Sequence, residues 1–161
     1  MAGGWHLAQY NIARLKAPLD DPLLADFVAN IDPINALGDR SPGFVWRHQT
    51  EEGNSTAVRP RPDKMIIINF TVWESVEALY DFAFKSGHLD VFRRRREWFE
   101  HLSYPFAVLW WIPSGHIPTV EEAEERLRHL TEHGPTPHAF TFKQRFPAPD
   151  AAPQLAVEAE A

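Results

Sequence analysis

The strongest apolar run in the chain, Met65 to Trp73, has one continuously apolar face and a second that is largely so. Ile66, Ile68, Phe70 and Val72 fall on one; Met65, Ile67, Asn69, Thr71 and Trp73 fall on the other. Such a strand is expected to be covered on both sides. Alternation of period two also marks residues 6–14, with His6, Ala8, Tyr10 and Ile12 opposite Leu7, Gln9, Asn11 and Ala13. It marks residues 44–50 as well, with Phe44, Trp46 and His48 opposite Val45, Arg47 and Gln49. Residues 105–113 form a fourth strand bounded by prolines.

Between the strands the apolar spacing turns helical. Leu23, Leu24, Phe27, Val28, Ile31 and Ile34 follow Asp21 as N-cap and Pro22 at the first helical position. Pro33 is expected to kink or end this helix. Ser75 caps a second helix that turns Val76, Leu79, Tyr80 and Ala83 inward, and Gly87 permits a bend before a helical stretch over 88–102. The polar segment 51–63 is expected to be a mobile connection between two strands. After the fourth strand, Thr119-Val-Glu-Glu122 matches a capping box and opens a helix with Val120, Ala123, Leu127 and Leu130 inside, stopped at Gly134. Residues 139–142 form a short final strand or extended arm. The order βαββαβ predicts an α+β, ferredoxin-like fold with an extra C-terminal helix and short strand. One domain spans 1–146, and the Pro- and Ala-rich segment 147–161 is expected to be a disordered tail.

Composition narrows the function classes. Sixteen Lys and Arg against 22 Asp and Glu give a formal charge of −6, which argues against a general nucleic-acid binder. The absence of cysteine excludes disulfides, thiolate catalysis and Cys-based metal centres. No apolar run is long enough to span a bilayer and no leader pattern opens the chain, so a cytoplasmic protein without membrane partners is the expectation. Six tryptophans and 11 phenylalanines chiefly predict core and interface.

If 88–102 is one helix at ~100° per residue, His88, Phe92, Arg95 and Phe99 share a sector of about 60°. A histidine on an apolar face can act as a base or ligand donor, and an arginine there can hold an anionic or enolic oxygen. The alternative is that His88 bonds locally at the helix start while Arg95 runs along the rings to solvent. His129 and His133 have the i, i+4 spacing of metal ligands, but the sequence offers no recognisable third ligand, so no metal is assigned. No catalytic triad, phosphate loop or metalloprotease motif is present.

Trp73-Glu-Ser-Val-Glu-Ala-Leu79, followed by Ser86-Gly-His88 and Phe92, resembles the strand–helix segment of the dimeric α/β-barrel superfamily that includes antibiotic-biosynthesis monooxygenases. Together with Trp110-Trp-Ile-Pro-x-Gly-His116-Ile-Pro-Thr-x-Glu-Glu-Ala123 and Ala139-Phe-Thr-Phe142, it more narrowly resembles a family of that superfamily catalogued as a domain of unknown function. The resemblance implies a homodimer in which two four-stranded sheets face each other as a barrel, with a ligand cleft between sheet and helices in each subunit. It implies a small, largely apolar or aromatic ligand. Tyr10, Asn11, Trp46, Asn69, Trp73, Phe92, Phe99 and Trp110 are the expected lining, with His88 as base, Asn11 orienting an oxygen and Arg95 beside them. Superfamily members include cofactor-free oxygenases, haem enzymes and isomerases. No cofactor is the first expectation and haem the alternative, with His88 or His116 as ligand and the basic run Arg93 to Arg96 meeting propionates. A non-catalytic binding or scaffold protein is the third reading.

Overall fold

The computed structural model describes residues 4–49 and 60–149. Four antiparallel strands, β1 (Trp5–Arg14), β2 (Phe44–Arg47), β3 (Ile66–Trp73) and β4 (Ala107–Pro113), form one sheet in the order β2-β3-β1-β4. The chain between them carries α1 (Ala25–Asp39), α2 (Val76–Lys85), α3 (His88–Arg93) and α4 (Arg95–Trp98), and α5 (Val120–His133) follows the last strand. This is the expected α+β, ferredoxin-like order.

Register explains the layering. β1 pairs β3 from Leu7↔Trp73 to Arg14↔Ile66, and pairs β4 from Trp5↔Pro113 to Asn11↔Ala107. Alternation then places Ala8, Tyr10, Ile12, Ile66, Ile68, Phe70, Val72, Val108, Trp110 and Ile112 in one core cluster. The other face carries Leu7, Trp73 and Leu109, which pack with Val76 and Leu79 of α2 and with Phe140.

The first face is closed by the chain itself. Ala123, Leu127 and Leu130 of α5 are buried against it, each leucine contributing roughly 1.5–3 kcal/mol by leaving water. Tyr10 Oη donates to Glu124 at 2.5 Å, and Arg61 reaches the same carboxylate at 3.1 Å. Burial, and then the bond to Glu124, push the Tyr10 phenol well above its ordinary range, against the opposing charge of Arg61.

Local signals act largely as expected. The Asp21 carboxylate accepts from Leu23 N at 2.9 Å, Ser75 Oγ from Ala78 N at 3.1 Å and Thr119 Oγ1 from Glu122 N at 3.1 Å. Four expectations need correction. Helix α1 runs through Pro33 to Asp39, so the proline does not end it. Glu122 does not reach back over its cap; its carboxylate accepts from Trp110 Nε1 at 2.9 Å and meets His116 Nε2 at 2.8 Å. A register shift between Phe44 and Trp46 sends these rings to opposite faces, Phe44 against Trp73 and Trp46 against Phe70. The helix expected over 88–102 divides at Arg94 (φ −92°, ψ 5°) and ends at Trp98, with Phe99 extended and bridged to Leu15.

Within residues 139–142, Phe140 bridges Leu109 on the outer edge of β4 and Ala139 bridges Thr136. Packing continues to Phe146, whose carbonyl accepts from Trp111 Nε1 at 2.8 Å. The mobile connection expected over 51–63 lies outside the described residues up to 59, and the tail expected from 147 lies outside them from 150.

The turn into β2 depends on Gly43. Its φ is +83°, and a Cβ there would lie 2.5 Å from Ala78 Cβ on α2. Gly43→Ala is therefore expected to destabilise the fold by about 1–3 kcal/mol. Urea unfolding should show a lower midpoint with an unchanged slope; an unchanged midpoint would remove this constraint from the account.

Candidate functional site

The helix-bearing face of the sheet is filled unevenly. At one end Leu7, Trp73 and Leu109 meet α2 through large side chains. At the other end the strands present Asn11, Ala13, Ile67 and Asn69, and short or polar side chains do not fill the space under a helix. Helix α1 accordingly stands over a gap: Phe27, Ile31 and Ile34 are only half-buried, and all three line a cavity of about 810 Å³. Helix α3 and the chain through Phe99 supply its other wall, with His88, Val91, Phe92, Arg95, Trp98 and Phe99.

A hydrogen-bonded chain runs through the strand floor. Trp73 Nε1 donates to Thr71 Oγ1 at 2.9 Å, Thr71 donates to Gln9 Oε1 at 2.8 Å, and Gln9 Nε2 donates to Asn11 Oδ1 at 2.5 Å. Gln9 and Thr71 are the buried polar residues of the described core, and each is satisfied by the other. The chain consumes the acceptor of Asn11 and leaves its amide N–H groups at the cavity.

His88 sits at the start of α3 between Phe82 and Phe92, at ring-centroid distances of 5.0 and 6.3 Å. Its Nδ1 lies 3.0 Å from the Ala83 carbonyl, which accepts only from a protonated nitrogen, so the neutral ring carries its proton on Nδ1. Nε2 is then the nitrogen left to take a proton or bind a ligand. Burial lowers the His88 pKa, with the Ala83 bond opposing. The local bond weighed against a functional role therefore exists, and it prepares the ring rather than occupying it.

Arg95 is exposed and lies over Phe92, its guanidinium carbon 4.2 Å from the ring centroid and Nη1 bonded to the Phe92 carbonyl at 3.2 Å. Lys16 and Arg96 also line the cavity and are joined through Lys16 Nζ and the Arg96 carbonyl. The acidic residue among the described lining, Glu100, is paired with Arg14. A positive rim therefore stands on a chain of net negative charge.

Of the residues singled out in the sequence, Asn11, Asn69, His88, Phe92, Arg95 and Phe99 line this cavity. Tyr10, Trp46, Trp73 and Trp110 are not brought to it. Tyr10 and Trp110 point to the opposite face beneath α5, bonded to Glu124 and Glu122. Trp46 packs on Phe70 on that same face, and Trp73 is sealed between Phe44 and Phe82. His116 is exposed, paired with Glu122, and absent from the described lining. Sequence reasoning missed Phe27, Ile31, Ile34, Asn30 and Asn35 on α1, and His48 beyond β2. The signal for α1 is its apolar stripe, whose spacing alone does not distinguish a cleft wall from a core face.

The fold and the cleft define a ferredoxin-like α+β protein with a site between one sheet face and its helices. The chain belongs to the family described as domain of unknown function DUF3291, whose model matches residues 6–156. No curated protein matches it in sequence. Among solved structures it is similar to SnoaB, a cofactor-independent oxygenase from Streptomyces nogalater, with 16% identity and a TM-score of 0.46 over 70% of this chain and 95% of that one. A putative antibiotic biosynthesis monooxygenase from Nitrosomonas europaea is similar at 11% identity and a TM-score of 0.42, over 73% and 94% of the two chains. PA3566 from Pseudomonas aeruginosa is similar at 13% identity and a TM-score of 0.39, over 73% and 97%. No described helix is long and apolar enough to cross a membrane.

The His88 ring is expected to titrate below the ordinary histidine value of 6.5. Between the two values the unfolded chain takes up the proton first, so stability from this group is full above the unfolded pKa and is lost as pH falls through it towards the folded one. His48 and His129 shift in the same direction, so the comparison needs a single-site variant. Histidine NMR titration, with His88→Gln for assignment, should find this ring lowest or among the lowest. A His88 value at or above the ordinary one would contradict the geometry.

Proposed function

We propose that the cleft binds a small, largely apolar aromatic molecule carrying an enolic or anionic oxygen and oxygenates it without a cofactor. The observation that carries this reading is His88, whose Nδ1 is held by a backbone carbonyl so that the neutral ring offers Nε2 in an apolar cleft. Phe27, Phe92 and Phe99 supply flat apolar walls. Asn11, polarised by the Gln9 bond, offers an N–H donor to a developing oxyanion, and Arg95 a cation to an oxygen at the rim. Tyr10, Trp46, Trp73 and Trp110 are left out of the proposed lining, since their side chains are engaged elsewhere.

In the proposed reaction Nε2 of His88 removes a proton from an activated CH2 of the substrate. The resulting carbanion, its charge delocalised on the adjacent oxygen, reduces dioxygen and bonds to it. The hydroperoxide anion recovers the proton from the imidazolium. Loss of water across the C–H and O–O bonds then leaves a carbonyl, so one oxygen atom enters the product and the other leaves as water. Dioxygen is the only oxidant.

Haem is the second reading, favoured by the same observation: a neutral imidazole with Nδ1 on a carbonyl would suit an iron ligand, and Lys16, Arg95 and Arg96 would suit propionates. His88 would hold the iron, and the group would supply redox and oxygen chemistry. His116, paired with Glu122, is not part of this reading.

Oxygen uptake with polycyclic phenols and enolisable aromatic ketones, without added metal or haem, distinguishes the readings. Turnover should fall by about 10²–10⁴ in His88→Ala, and by about 10² in Asn11→Ala. Turnover indifferent to His88→Ala would overturn the oxygenase reading. A Soret band on adding hemin that is lost in His88→Ala would replace it with the haem reading, and ligand binding without turnover would leave a binding protein.

The homodimer implied by the resemblance belongs to the same proposal, and the packing sets a condition on it. The sheet face that would meet a second sheet is covered by α5 of the same chain. A dimer is thus expected either to use another surface or to exchange α5 between subunits. Sedimentation velocity over a concentration series tests the association, and a strictly monomeric chain rejects it.

A further inference from the structure

The pair His129 and His133 lacked a third ligand in the sequence, and folding brings one. Glu125 and His129 stand one turn apart on α5, and the turn after Gly134 returns His138 to them. One ligand atom from each of Glu125, His129 and His138 lies within 4.8 Å of the others. His138 Nε2 is 2.9 Å from Glu125 Oε1, and the rings of His129 and His138 are 4.6 Å apart between centroids. The ring of His133 lies 4.5 Å from that of His129 between centroids.

The backbone that presents His138 is held in place. Thr136 and Ala139 exchange backbone bonds at 2.9 and 3.1 Å, Thr136 Oγ1 accepts from His138 N at 3.2 Å, and Arg126 Nη1 donates to the His138 carbonyl at 2.8 Å.

We propose that Glu125, His129 and His138 form a binding site for a divalent first-row transition metal, Zn²⁺ in particular, with one coordination position left for water or His133. Two imidazoles and one carboxylate suit zinc, whereas a single carboxylate is too little oxygen for calcium or magnesium. The metal replaces the proton shared between His138 Nε2 and Glu125. His138 Nδ1 then carries the ring proton, and Arg126 gives up its 3.1 Å contact with that nitrogen while keeping the carbonyl. The site is separate from the cleft, since no described lining residue belongs to α5. It fastens the turn at 135–138 to α5, just before Phe140 pairs with β4.

The test uses the full chain, free of any affinity tag and stripped with EDTA. Titration with Co²⁺ should give the visible absorption of a tetrahedral complex at one equivalent, displaced by Zn²⁺, and Zn²⁺ should raise the melting temperature. His129→Ala and His138→Ala should each weaken Co²⁺ binding by about tenfold or more, while His116→Ala leaves it unchanged. Absence of the Co²⁺ band, or equal weakening in all three variants, would overturn the site.

Discussion

The hydrogen-bonded row Trp73–Thr71–Gln9–Asn11 is the constraint on which the cleft-bearing half of the molecule depends. A buried amide or hydroxyl without a partner costs about 1–3 kcal/mol, so polar side chains can stand on a covered sheet face only if they satisfy one another. These do, end to end. Where the row ends at Asn11, the polar Asn11 and Asn69 and the small Ala13 leave this end of the sheet unfilled, whereas α2 closes over Leu7 and Trp73. The cavity follows from that choice of side chains. The row also fixes the sense of Asn11, whose acceptor is taken and whose donors remain.

The opposite face is governed by α5. Once Leu127 and Leu130 cover the sheet there, Tyr10 and Trp110 must find partners within the cover, and Glu124 and Glu122 provide them. A phenol so placed is far from ionising. Its conspicuous chemistry is therefore structural, tying strand to helix. The carboxylates on the inner side of α5 do the same, while the helix's stripe of Glu125, His129 and His133 is left for the cluster with His138.

The four strands and both faces of β1 and β3 were legible because period-two alternation is a direct image of the pleat. The caps at Asp21, Ser75 and Thr119 were legible because a side-chain acceptor at those positions satisfies backbone donors that nothing else reaches. Three features were not. A one-residue register shift beside Val45 reverses a face without changing composition. Arg94 breaks a helix with neither Gly nor Pro to announce it. The aromatic strand residues were grouped by type, although Tyr10 and Asn11 are neighbours on a strand and cannot line the same face. Alternation alone would have separated them; which face bears the cleft is tertiary information, set by where α1 and α3 pack.

The break at Arg94 changes how the cleft wall is held. On a continuous helix Phe99 would share the sector of His88 and Phe92 by rotation alone. Instead α4 ends at Trp98, Phe99 becomes extended, and its bridge to Leu15 fastens the wall to the end of β1. Arg94 also bonds Asp26 and Glu97 at 2.8 and 2.9 Å, but all three groups are exposed or nearly so and such pairs contribute little against solvent screening. Trp98 is 1% exposed, packed with Leu15, Leu24 and Ile67, and both it and Phe99 meet the ring of Phe27. Burial of a large ring outweighs an exposed ion pair, so this aromatic group, rather than the arginine, anchors α1 and the far wall to each other. Helix α3, where His88 stands, has no fully buried residue. The cleft thus has one wall tied together by the rings of Phe27, Trp98 and Phe99 and another, α3, of half-buried side chains, above the hydrogen-bonded floor.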